Sequence, residues 1–131
     1  MSRRELREQI FKLLFRIEFN DMEEMPEQER LFFEDDCKAE GADAEYISSK
    51  YQKIAEKLET IDNMLNEKAK NWNTDRMGKV DLTILRLAVY EMTFDDEVPT
   101  GVAINEAVEL AKKFGQDASA SFVNGVLAKF A

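Results

Sequence analysis

Histidine is absent from this sequence of 131 residues, and cysteine occurs once, at Cys37. Without histidine there is no His-ligated metal centre, no Ser-His-Asp or Cys-His catalysis, and no Glu-x-x-His di-iron motif. A lone cysteine cannot close a disulfide within the chain and suits a reducing compartment. Glycine is scarce at 5 residues, and neither G-x-x-x-x-G-K nor G-x-G-x-x-G occurs, so phosphate-cradling loops of those types are excluded. No stretch approaches the roughly 18–20 apolar residues that a membrane-spanning helix requires. Met1-Ser2-Arg3-Arg4 leads into a charged segment with no apolar core of a signal peptide, and a cytoplasmic protein is expected. Alternation with a two-residue period is also missing, which argues against a sheet. Neither a cofactor, a metal nor enzymatic activity is expected.

What is present is a chain of 44% hydrophobic and 34% charged residues, a balance typical of a folded globular protein. Its length predicts one domain over residues 1–131 that buries roughly two-thirds of its unfolded surface. The net charge of −9 is unevenly spread. Residues 1–16 hold five basic side chains against two acidic ones, a net of +3. Residues 17–66 hold fifteen acids against five bases, a net of −10, and residues 67–131 ten against eight, a net of −2. A basic end on an acidic body is a local anion site whose surroundings repel indiscriminate polyanions.

Helical periodicity runs through the chain. Ser2 is a candidate N-cap for a helix with Leu6, Ile10, Leu13, Leu14 and Ile17 on one face and Phe11, Phe15 and Phe19 beside them. Pro26 suits the first turn of a second helix, with Leu31, Phe32 and Cys37 facing inward, ending before Gly41. Asp43 is a candidate cap for a long stretch to about Asn71, through Tyr46, Ile47, Tyr51, Ile54, Leu58, Ile61, Met64 and Leu65, with a break near Thr60 to Asn63. Trp72 to Asp75 reads as a junction. Asp81 to Thr93 is apolar around much of its circumference and is expected to be the most buried helix. Val102 to Phe114 reads as the next helix, with Ile104, Ala107, Val108 and Ala111 inside and Gly115 as a left-handed terminator. A last helix holds Phe122, Val123, Val126, Leu127 and Phe130. The expected fold is an all-α bundle of six or seven helices.

The acidic residues carry little chemical signal, because Glu34, Asp35 and Asp36 are consecutive and a helix spreads them in different directions. The basic helix start carries more. Arg3 and Arg7 share a face at i, i+4, Arg4 adjoins them, and a helix N-terminus favours anions. Guanidinium groups bind phosphate bidentately, and an aromatic ring such as Phe15 offers a platform on which single-stranded bases stack. Periodicity alone serves Phe15 equally well as a core residue. Arg86, in an apolar helix, reads as pairing with a carboxylate such as Glu106 or Glu109.

The run Ile84-Leu85-Arg86-Leu87-Ala88-Val89-Tyr90-Glu91-Met92, then Val98-Pro99, then Val102-Ala103-Ile104-Asn105-Glu106-Ala107-Val108-Glu109-Leu110-Ala111-Lys112-Lys113-Phe114-Gly115, then Phe122-Val123-Asn124-Gly125-Val126-Leu127, resembles the NusB transcription antitermination family in order and spacing. Arg3-Arg4-Glu5-Leu6-Arg7-Glu8 and Leu14-Phe15 resemble its arginine-rich first helix and the Leu-Tyr pair that follows. The resemblance implies a seven-helix fold and a bacterial factor that binds the boxA element of nascent ribosomal RNA as single-stranded RNA. It implies pairing with NusE, the ribosomal protein S-ten, and assembly with NusA, NusG and RNA polymerase to suppress termination. Carried over by position, Arg3, Arg4, Arg7, Phe15, Lys113, Phe114 and Phe122 would contact RNA, with Phe15 standing where the family has tyrosine. Asp81 and Arg86 would face the protein partner. Two other readings compete: a protein-binding adaptor with the same fold, and kinship to the helical RNA-binding domain ahead of some ribosomal RNA cytosine methyltransferases, for which no catalytic domain is present. Exposed phenylalanines serve a homodimer as readily as RNA.

Overall fold

The structure is a computed structural model that describes residues 1–131. It is all-α, with seven α-helices and no strand, as the periodicity predicts. In order these are α1 (Arg3–Phe15), α2 (Met25–Leu31), α3 (Gly41–Glu56), α4 (Leu58–Lys68), α5 (Lys79–Phe94), α6 (Thr100–Phe114) and α7 (Ser119–Ala128). The chain divides into two compact units, Met1–Ala55 and Glu56–Ala131. No helix is long and apolar enough to cross a membrane.

In the first unit, Ser2 caps α1 through a reciprocal pair of bonds. The Glu5 backbone N–H donates to Ser2 Oγ at 3.1 Å, and the Ser2 N–H donates to Glu5 Oε1 at 2.9 Å. Ile10, Leu13 and Leu14 are buried as the spacing predicts, while Leu6 and Ile17 are half-buried. Pro26 sits in the first turn of α2, where its missing N–H costs nothing. That helix continues into one π turn, Phe32–Asp36, and Cys37 then leaves in an extended conformation with its side chain buried.

Two boundaries differ from those the sequence suggests. Helix α3 begins at Gly41, whose φ of +58° is the left-handed conformation glycine adopts without strain. Asp43 therefore lies in the first turn instead of capping, and its Oδ2 meets the Met1 amine at 2.9 Å. The break falls at Lys57 (φ −103°, ψ 6°), not near Thr60 to Asn63, and α4 ends at Lys68 before Asn71. Tyr46, expected inside, is exposed; the ammonium of Lys50 lies 5.7 Å from its ring centroid.

In the second unit, α5 packs against α4, α6 and α7. It buries nine residues, including Leu82, Ile84, Leu85, Leu87 and Val89, so the helix apolar on most sides is the central one. Thr100 starts α6 two positions before the expected Val102. Ala103, Ala107, Leu110 and Ala111 form its buried stripe, whereas Ile104 and Val108 are only half-buried. Gly115 ends α6, but not as a left-handed residue: its φ is −93° and its ψ −168°. Glycine is needed there for room. A Cβ would stand 2.5 Å from Ser119 Cβ and Oγ and 2.7 Å from the Ala111 carbonyl oxygen. The turn to α7 is sealed as the Gln116 N–H donates to Ser119 Oγ at 2.9 Å and the Ser119 N–H to the Gln116 carbonyl at 3.0 Å.

Candidate nucleic-acid interface

The four basic residues of α1, and Arg16 just past its end, differ in environment. Arg3 and Arg4 are exposed on the opening turn, where the helix dipole is positive. Arg7 is buried, with 9% of its surface exposed. Lys12 lies 3.6 Å from Glu8. Arg16 is held on several sides: it pairs with Asp36, donates to the Gln28 backbone carbonyl at 3.1 Å, and lies 5.4 Å from the Phe32 ring centroid. Arg3 and Arg4 are thus the basic residues exposed at the positive end of this helix.

The aromatic line of α1 runs from interior to solvent. Phe11 is buried, Phe15 is half-buried, and Phe19 is 61% exposed. Phe15 stacks on Phe11 at 6.1 Å with 25° between planes, and meets Phe19 edge-on at 5.1 Å and 74°. Phe15 is thus neither fully core nor fully exposed, anchored on Phe11 and half-buried. Phe19 extends the row and was not among the expected contacts.

In the second unit the Gly115 turn sets two aromatic residues on either side of it. Phe114 ends α6, half-buried, with the Lys113 ammonium 5.5 Å from its ring centroid. Phe122, in the first turn of α7, meets Trp72 edge to face at 5.7 Å and 74°. These two rings help to line a pocket of about 230 Å³ that also involves Arg76, Met77, Gly78, Asp81, Gln116, Ala118 and Ser119. Phe122 and Asp81, assigned from the sequence to different partners, therefore share one cavity. Trp72, Arg76 and Gln116 were missed. Their one signal was that Trp72 is the chain's only tryptophan and stands in a polar junction.

Arg86 forms a salt bridge with Asp62, a carboxylate the sequence reading did not name for it. Its Nε donates to Asp62 Oδ1 at 2.9 Å and its Nη2 to Asp62 Oδ2 at 2.8 Å, because α4 packs on that side of α5. Glu109 lies 3.6 Å from the ammonium of Lys112. No group of three or more cysteine, aspartate or glutamate side chains is placed to hold a metal ion.

The first unit offers exposed arginines at a helix start and an aromatic row, and the second a small aromatic-walled pocket, on an all-helical fold. A family model described as the NusB family matches residues 4–131. The transcription antitermination protein NusB of Agathobacter rectalis is 51% identical over 131 residues, covering 100% of both chains. That of Lachnoclostridium phytofermentans is 53% identical over 129 residues, covering 98% of each. Among solved structures, T. maritima NusB matches with a TM-score of 0.86 and 34% identity, over 100% of this chain and 91% of that one. A NusB chain in a complex of antitermination factors NusB and NusE with dsRNA matches with a TM-score of 0.81 and 29% identity, over 96% and 92%. The chain belongs to the NusB family, a non-enzymatic family of transcription antitermination proteins.

Proposed function

We propose that this protein binds the boxA element of nascent ribosomal RNA together with NusE, ribosomal protein S-ten, and so helps RNA polymerase read through terminators in the bacterial cytoplasm. NusA and NusG complete the assembly in this reading. The observation that carries it is likeness to a NusB solved with NusE and RNA, over nearly the whole chain. In the first unit Arg3 and Arg4 meet phosphates, Phe15 offers its open side to a base, and buried Arg7 braces the turn that presents them. In the second unit Lys113, Phe114 and Phe122 supply a cation and two rings beside the Gly115 turn. Of the residues assigned to the protein partner, Arg86 is tied to Asp62, which leaves Asp81 as the one open to a ligand.

The body between residues 17 and 66 repels RNA, so binding by the chain alone is weak and NusE strengthens it through linked contacts. The test is fluorescence anisotropy of a labelled boxA-like RNA and a scrambled one across a salt series, with and without NusE. The wild type should prefer boxA and weaken with salt. Arg3→Ala/Arg4→Ala should weaken binding and flatten the logarithmic salt dependence by roughly one to two ion equivalents. Absence of RNA binding under every condition would replace this reading with the protein-binding adaptor. Solution mass with and without RNA tests whether a homodimer covers the exposed phenylalanines.

A further inference from the structure

The aromatic row of α1 ends in surroundings opposite to those in which the helix begins. Residues 17–29 hold six acidic side chains and no basic one. The basic residues on either side are committed elsewhere, Arg16 to Asp36 and the Gln28 carbonyl, and Arg30 to Glu27 and Glu34. Asp21, Glu23 and Glu24 are exposed and form no ion pair. Arg4 stands about 20 Å along the helix from Phe19, beyond the roughly 10 Å over which charge is felt in salt, so the positive start of α1 does not offset these acids.

Among these acids two large apolar side chains meet solvent, Phe19 at 61% and Met22 at 49% exposed. The turn that carries them is ordered. The Glu24 N–H donates to the Asp21 carbonyl at 2.9 Å, the Met25 N–H to the Met22 carbonyl at 3.3 Å, and the Asn20 side-chain amide to the Arg16 carbonyl at 2.9 Å, while Met25 is buried at the start of α2. A surface held in one conformation beforehand loses less entropy when it binds. Charge then selects the occupant. RNA phosphates and anionic lipid headgroups are repelled, and a second copy docked face to face would set the same acids against one another. A cationic protein segment is attracted where those are repelled, and the flexible thioether of Met22 adapts to an apolar side chain laid on it. Two exposed side chains offer far less than the roughly 800 Å² that each partner gives to a standard interface, so the occupant is a short segment and not the face of a folded domain.

We infer that Phe19 and Met22 form a docking site for a short basic segment of another protein, in which one or two aliphatic side chains cover the apolar pair and flanking lysines or arginines meet Asp21, Glu23 and Glu24. The site lies within the first unit, at the far end of α1 from Arg3 and Arg4, and does not depend on the reading of the chain as an RNA binder.

The test uses the full chain with isotope-labelled methionine methyls and three short peptides: one of leucine and lysine, one with serine in place of the leucine, and one with glutamate in place of the lysine. The Met22 methyl signal, assigned by its loss in Met22→Gln, reports the patch by NMR. The leucine-lysine peptide should shift that signal and bind less tightly as salt rises. The serine peptide should bind about tenfold more weakly, and the glutamate peptide should leave the signal in place. Met22→Gln, and separately Asp21→Asn/Glu23→Gln, should each weaken the leucine-lysine peptide about tenfold by calorimetry with an unchanged melting temperature. An unmoved Met22 signal, or equal affinity of the wild type and Met22→Gln for that peptide, would overturn the site. A Met22 shift produced by single-stranded RNA would give the patch to RNA, and a concentration-dependent solution mass abolished by Met22→Gln would give it to a second copy; either result overturns it as well.

Discussion

The guanidinium of Arg86 holds the carboxylate of Asp62 with two parallel hydrogen bonds, at 2.9 and 2.8 Å, and so joins α5 to α4. The two side chains are 13% and 25% exposed, so removing one leaves the other poorly solvated. Asp62→Ala should lower unfolding free energy by about 1–3 kcal/mol in urea denaturation. Arg86→Lys should recover little, because an ammonium lacks the planar fork. Replacing both residues with apolar ones of similar volume should cost less than either single change.

Gly115 and Gly125 should respond to alanine with opposite signs. At Gly115 the new Cβ would meet Ser119 and the Ala111 carbonyl oxygen at 2.5 and 2.7 Å, and relieving that overlap should cost about 1–3 kcal/mol. At Gly125, inside α7, nothing lies within 4 Å of an added Cβ, and Gly125→Ala should stabilise by about 0.5–1 kcal/mol. Thermal melts of the two variants check the pair.

The start of α1 should be sensitive to acid. Hydrogen bonds from the Ser2 backbone N–H and then from the Ser2 side chain hold the Glu5 carboxyl below the usual glutamate range. A lowered folded pKa means that this stabilisation is complete above the ordinary glutamate value and is lost as pH falls through the lowered one. Protection of the Ser2 and Glu5 amides, taken relative to their intrinsic exchange rates, should fall as pH drops below the ordinary glutamate value, and the Glu5→Gln variant should lose that dependence.

Arg7 and Arg4 should separate stability from binding. Arg4→Ala, at an exposed position, should weaken RNA and leave the melting temperature within a degree or two. Arg7→Ala removes a buried side chain and should destabilise the first unit by about 1–3 kcal/mol while also weakening RNA. Equal melting temperatures for the two variants would show that Arg7 does not brace the turn.

These residues also show where sequence reading succeeds. Ser2 with Glu5, and Pro26, carry local signals, and the structure uses both. The face spacing of Arg3 and Arg7 was visible, but their depth was not read. Arg7, Phe11 and Leu14 stand at i, i+4 and i+7, a line that already pointed Arg7 inward. Lys57 carries no mark of a break, since Ile54, Leu58, Ile61 and Leu65 keep the helical period across it. Gly115 was visible as a terminator while its reason was not, because crowding by Ser119 is a tertiary fact. Trp72 was passed over because a single aromatic residue has no period, and nothing local reveals that it meets Phe122.

The burial of Cys37 gives the first unit a clock of its own. At 2% exposure the thiol is out of reach of an alkylating reagent while the π turn and the end of α2 stay folded. Labelling therefore proceeds only through openings, at a rate set by how often they occur. Because no other cysteine exists in the chain, the mass increment counts openings of that unit alone. A ligand that docks on α1 would be felt there as slower modification, without a dye on either molecule.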